Sequence, residues 1–266
     1  MDILIHCLSG ASVGIAISSF SANSRFKLIG FAALGGVLPD LDAISLWSKF
    51  DTTFGKVLGL NDSGHTIYFS KFWYSHHGFL HSIAASLLFA FVWGLLFFVL
   101  QSKSANMGLK DLMASFKKNR LILISFIAGY ILHLIEDMPT PNNYWDGVRF
   151  FWPSGTYVGG TGEIWWWNNY DIFLIVLASI AINGLLIALK PLIKIEVKTA
   201  TVLVFVISFM ACVGQIKTRG YSFNNPRKVS KFQENEVKSL ELQEKILGKK
   251  LFSIMEKFDN NIKVNF

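Results

Sequence analysis

The feature that most restricts this chain is the run Phe79–Leu100, in which His81 is the one ionisable side chain. About 20 consecutive apolar residues cross the hydrocarbon of a bilayer as a helix. Inside lipid, a helix or a closed barrel is required to satisfy the backbone polar groups. Five further apolar stretches follow the same pattern: Ile3–Phe20, Phe26–Leu38, Leu121–Glu136, Ile172–Leu189 and Ala200–Ile216. Phe26–Leu38 and Leu121–Glu136 are short for a span and end in polar residues. They read as inner helices whose ends reach a wet cavity. Composition agrees: 16% of residues are charged, against about 25% in soluble domains. The predicted fold class is all-α: a polytopic transmembrane helix bundle of about six membrane helices, followed by an amphipathic C-terminal helix.

The remaining sequence refines this frame. Gly10, Gly14, Ala32, Ala33, Gly35 and Gly36 suit close helix contact. The N-terminal run lacks a basic leader and is interrupted by His6, so it reads as a retained first helix. Trp145, Trp152 and Trp165 to Trp167 resemble an interfacial belt. Cys7 and Cys212 lie far apart in apolar stretches and read as small apolar residues. Val237, Leu240, Leu247, Leu251, Ile254 and Phe258 recur at helical spacing, which predicts an amphipathic helix on the membrane or against the bundle. The expected division is a transmembrane domain over 1–219 and a tail over 220–266.

Basic residues set the expected orientation. Segments 21–27, 101–120 and 190–198 hold ten Lys or Arg, whereas 39–78 and 137–170 hold four. The positive-inside bias places the first set in the cytoplasm and the second outside. The eleven basic residues from Lys217 onward pull the other way, but long segments obey the bias poorly. The net charge of +7 is explained by headgroup contact and topology. No basic recognition helix is evident, so nucleic acid is not an expected partner; membrane lipids are.

The chemistry gathers at helix ends. His6 opens the first helix. Pro39-Asp40-Leu41-Asp42 ends the second. His76, His77 and His81 open the third, and His133 to Asp137 end the fourth. Threading the chain back and forth places these four sites on one side of the membrane, which nothing in the composition requires. His133 and Asp137 are four apart and share a helix face; His77 and His81 have the same spacing. Imidazoles with carboxylates suit Zn²⁺, Mn²⁺ or Fe²⁺, with zinc first, as one ion or two. The candidate ligands are His6, Asp40, Asp42, His76, His81, His133 and Asp137. Asp42, Glu136 and His77 are the candidates for proton transfer. Taken singly, blander readings compete: a packed His6, a helix stop with an N-cap at Asp40 and Asp42, and a structural His133–Asp137 pair. His65 reads as solvated, and Glu163 and Asp171 as interfacial.

In these residues the chain resembles the bacterial inner-membrane metal-dependent hydrolases of the YdjM/YbcI type. The resemblance rests on His6, on Pro39-Asp40-x-Asp42, and on His76-x-Gly78-x-x-His81-Ser82. It continues through Gly129-x-x-x-His133-x-x-x-Asp137-x-x-Thr140-Pro141 and Trp152-Pro153. It covers roughly residues 6 to 153. The chain departs from the family where His77 replaces Arg, Leu80 replaces Thr and Asn142 replaces Gly. The resemblance implies a hydrolase in which metal-activated water attacks an ester or phosphoester, and a site at headgroup level favours a lipid-like substrate. The alternative is a non-catalytic metal-binding membrane protein, a sensor or an assembly factor. A transporter ranks last, because polar residues do not continue through the helices.

Overall fold

Each apolar stretch forms a helix, and local chemistry decides where each one stops. The computed structural model describes residues 3–21, 24–101, 108–140, 146–160, 162, 169–192, 196–218 and 232–261. Pro141, Asn142, Trp145, Glu163, Trp165, Trp166, Trp167 and the junction near residue 220 lie outside the described residues. Helix α1 is Ile3–Ser18 and α2 is Arg25–Val37. Pro39 has no N–H to donate, and at Leu38 the chain tightens into a 3-10 turn that continues to Leu46. Counted together, Arg25–Leu46 is 22 residues, long and apolar enough to cross a membrane. Four other helices are also long and apolar enough to cross: α5 (Ile83–Gln101), α6 (Leu109–Asp137), α7 (Tyr170–Ala188) and α8 (Val197–Lys217). At 16 residues, α1 is shorter. Among the described residues there is no strand, only one isolated bridge between Val148 and Val158.

Four boundaries differ from expectation. Helix α6 begins at Leu109, not Leu121, because its polar first turns contain neither Pro nor Gly, and the Asp111 carboxylate accepts the Gly108 N–H at 3.1 Å. Helix α5 begins at Ile83, not Phe79. Gly78 and a 3-10 turn at Phe79–His81 precede it, and the Ser82 hydroxyl accepts from the Ala85 N–H at 3.1 Å. His77 and His81 therefore do not share an α-helical face. The 39–78 connection also carries short helices, α3 (Lys56–Leu58) and α4 (Gly64–Phe69). Finally, the expected single tail helix is two, α9 (Phe232–Leu247) and α10 (Lys249–Asn261), separated by Gly248 at φ +75°.

Helix α1 is central and packs against α2, α6, α7 and α8. Helix α2 crosses α6, and α5 covers α6 from the other side. Phe126, Tyr130 and Leu134 of α6 are fully buried against Ala85, Ala90 and Leu38. Small residues let the backbones approach: a Cβ at Gly129 would collide with the Ala32 carbonyl, and one at Gly36 with the His6 carbonyl. The tail packs on the start of α7, where Gln243 accepts from the Tyr170 N–H at 2.8 Å and the Tyr170 hydroxyl donates to Asp259 at 3.0 Å. Asp171, expected at the interface, is buried in that first turn.

Replacing Gly129 with Ala drives a methyl group into backbone, which cannot swing aside. Overpacking of this kind costs about 1–3 kcal/mol. Gly30→Ala meets nothing within 4 Å and is expected to be neutral or stabilising by up to about 1 kcal/mol. Thermal unfolding in detergent checks the pair; equal midpoints for the two variants would contradict the close α2–α6 crossing.

Candidate metal centre

Alternating helix direction brings the start of α1, the end of α2, the approach to α5 and the end of α6 to one end of the bundle. Four side-chain donors meet there. His133 Nε2 lies 3.0 Å from Asp137 Oδ2, 3.3 Å from His81 Nε2 and 3.6 Å from Asp40 Oδ1. His81 Nε2 lies 3.5 Å from Asp137 Oδ2 and 3.6 Å from Asp40 Oδ1. A tetrahedral zinc with ligands at about 2.0–2.1 Å has ligand-to-ligand edges of about 3.3 Å. Five of the six edges of this tetrad thus fall close to that value. All four donors lie within 4.8 Å of one another.

Of the two tetrad histidines, His133 is tied down through its other ring nitrogen. His133 donates from Nδ1 to the Gly36 carbonyl at 2.7 Å, which leaves Nε2 as the inward donor atom. His81 Nδ1 faces Asp42 Oδ2 at 3.1 Å. The second oxygen of Asp42 holds His76 Nδ1 at 2.8 Å, and the Tyr68 ring stacks on His76 at 4.5 Å. His6 meets carboxylates with both nitrogens, Nδ1 with Glu136 at 2.7 Å and Nε2 with Asp137 Oδ1 at 3.1 Å. His6 and Glu136 therefore border the tetrad and fall outside every group of converging donors. Two further groups adjoin it: His76 with His77 and His81, and Asp40 with Asp42 and His76. His65 is exposed on α4, remote in role from this cluster, with its ring against Phe69.

The donor set fits a divalent cation. Among the described residues, Asp40 and Asp42 have only histidines as ionic partners. Burying carboxylates without a compensating charge is costly. The electrostatics of His81 register the demand. Burial alone would lower its pKa, yet Asp42, Asp137 and Asp40 raise it well above the ordinary value. His77 goes the other way: burial, then His76 and His81, hold it well below. The Tyr68 hydroxyl is raised by burial and by Asp42, Asp40 and Asp137, so it stays protonated.

His77 is held in an unusual backbone. It sits at φ +61°, in the left-handed region that only a few per cent of non-glycine residues adopt. A strap from the 146–160 segment fixes it: Nδ1 donates to the Gly147 carbonyl at 2.8 Å, and the His77 carbonyl accepts from the Arg149 N–H at 3.2 Å. Nε2 then points toward Asp137 Oδ2, 3.8 Å away. Sequence reasoning missed Gly147, Tyr68 and the Gly36 carbonyl. Backbone acceptors leave no residue-type signal, and Tyr68 is one tyrosine among the aromatics of the 39–78 connection.

Asn tolerates positive φ, and a β-branched residue does not. His77→Asn is therefore expected to be more stable than His77→Val by about 1–2 kcal/mol. Chemical unfolding of the metal-free variants measures this, and equal stability would remove the inference of backbone strain.

A protein-family model described as YdjM inner membrane protein matches residues 1–221. Neither a curated protein nor a solved structure matches the chain. The family match covers the whole membrane bundle with its His/Asp cluster. The chain is a multi-pass inner-membrane protein and belongs to the YdjM inner membrane protein family.

Proposed function

We propose that this protein is a metal-dependent hydrolase acting on an ester or phosphoester of a lipid-like substrate. The observation that carries the reading is the tetrad of Asp40, His81, His133 and Asp137, with edges of 3.0–3.6 Å where they are measured. One outer contact is that expected of a metal ligand, the Gly36 carbonyl orienting His133; Asp42 Oδ2 lies 3.1 Å from His81 Nδ1, and Asp137 Oδ1 lies 3.1 Å from His6 Nε2. A divalent cation bound here, zinc before manganese or iron, supplies Lewis acidity and acidifies water.

The chain's own residues supply the rest. His77 is the proton acceptor: neutral, anchored through Nδ1, and aimed into the cluster through Nε2. Asp42 and Glu136 position histidines, His81 and His76 for the first and His6 for the second. His76, with Asp40 and Asp42, supplies donors for a second ion. The positive-inside bias of the short loops puts this end of the bundle on the extracytoplasmic face, at the level of lipid headgroups.

One feature of the geometry favours the non-catalytic reading, a metal-binding sensor or assembly factor. Four protein donors around one tetrahedral ion leave no open position, as in structural zinc sites. Activity separates the two. Zinc- or manganese-loaded protein is expected to cleave phosphatidylglycerol or a lipid ester in mixed micelles. His77→Asn is expected to keep its metal while kcat falls by about 10²–10⁴, the usual worth of a general base. Folded, metal-bound wild type that cleaves neither lipid would leave the non-catalytic reading standing. An unchanged kcat in His77→Asn would remove His77 from the proton-transfer role.

A further inference from the structure

A cleft runs beside the metal centre into the depth of the bundle. Its floor is Ser9 and Ser12 of α1 with Ile172 and Val176 of α7, and its walls are α6 and α8. On the α6 side stand Leu132, Ile135 and Glu136; on the α8 side stand Phe205, Ser208, Phe209 and Val213. Helices α6 and α8 both pack on α1, and the cleft lies between them.

Three observations define what it holds. First, all its helical walls belong to the apolar bundle, so the medium around it is lipid, and a mainly apolar cavity stays free of water. Second, it has one polar end. Glu136 lines the cleft and also bonds His6, whose other nitrogen meets Asp137 of the tetrad. Of the deeper hydroxyls, Ser12 and Ser179 are bonded to each other at 2.9 Å, and the buried Ser9 hydroxyl has no hydrogen-bond partner among the described residues. Third, its size limits the occupant. Its cavity volume is about 130 Å³, below the roughly 300–1,000 Å³ of compact small-molecule sites, so it admits a slender group and not a further spanning helix, a cylinder about 10 Å across and about 30 Å long.

We propose that this cleft receives an acyl chain of a membrane lipid, and that the Glu136 end places that lipid's headgroup linkage at the Asp40–His81–His133–Asp137 cluster. The inference rests on the hydrolase reading for its choice of substrate and names the part of the substrate that the bundle recognises. Selection is by the chain; chemistry is at the headgroup.

Helix α8 is the wall to alter, because it is the least buried of the spanning helices. The full-length protein is reconstituted in vesicles of phosphatidylethanolamine and phosphatidylglycerol. These are doped with a phosphatidylglycerol bearing a diazirine near the end of one acyl chain. After illumination, lipid adducts are mapped by mass spectrometry and bound metal is counted. Adducts are expected on cleft residues such as Phe209 and Val213 in excess over the outward-facing Leu203 and Ile207, which are 53% and 65% exposed. Ser208→Phe and Val213→Phe each fill the cleft and are expected to cut those adducts at least about tenfold, with metal content unchanged. Ile207→Phe, the same substitution on the outer face, leaves them as they were.

Adducts spread evenly around α8, or unaffected by both filling variants, would overturn the proposal. Its failure is distinct from failure of the hydrolase reading. Mapped adducts on a protein that cleaves no lipid would keep the chain site and remove the reaction. Cleavage of a short-chain soluble ester without cleft adducts would keep the reaction and remove the chain site.

Discussion

The cluster depends on the meeting of three helices at Gly36. The His6 carbonyl of α1 lies where a Gly36 side chain would be, and the Gly36 carbonyl accepts the Nδ1–H of His133 from α6. One residue without a side chain thus sets the spacing between α1 and α2 and the direction of the imidazole that faces Asp137 and His81. A larger residue would move the first helix away, and with it His6 from the far oxygen of Asp137. Packing and site geometry are here the same contact.

From that point outward the cluster is layered. Inner donors come from the end of α2, the turn before α5 and the end of α6, so no single helix can assemble it. Around them lie groups that each hold one ring nitrogen: Gly36, Asp42, Gly147 and Glu136. The low-dielectric end of a bundle makes each of these contacts stronger than it would be in water, and leaves carboxylates in need of positive charge. The raised His81 and the lowered His77 are two responses to that one field, set apart by their neighbours.

Much of this could be read before any coordinates. Apolar length identified the helices, and their alternation placed His6, Asp40, His81 and His133 at one end. What could not be read has physical causes. Apolar periodicity says nothing about where α6 begins, because Leu109–Arg120 is polar yet free of helix breakers. The four-residue spacing of His77 and His81 implied a shared helix face, but Gly78 breaks the helix there and puts His77 at positive φ. Roles within the cluster were also hidden. His6 was expected among the ligands; its nitrogens lie 2.7 Å from Glu136 and 3.1 Å from Asp137, an arrangement that spacing cannot reveal. The division of the tail at Gly248 follows from one residue inside an otherwise continuous apolar stripe.

The central claim is that donors from separate helix ends hold one cation in common. Metal content of the detergent-purified protein tests it most directly, after zinc loading and removal of excess ion. Wild type and His65→Ala, whose ring lies outside the cluster, should retain metal at equal stoichiometry. His133→Ala and Asp40→Ala, altered on α6 and just beyond α2, should each lose it while remaining folded. Undiminished metal in both folded variants would contradict the account.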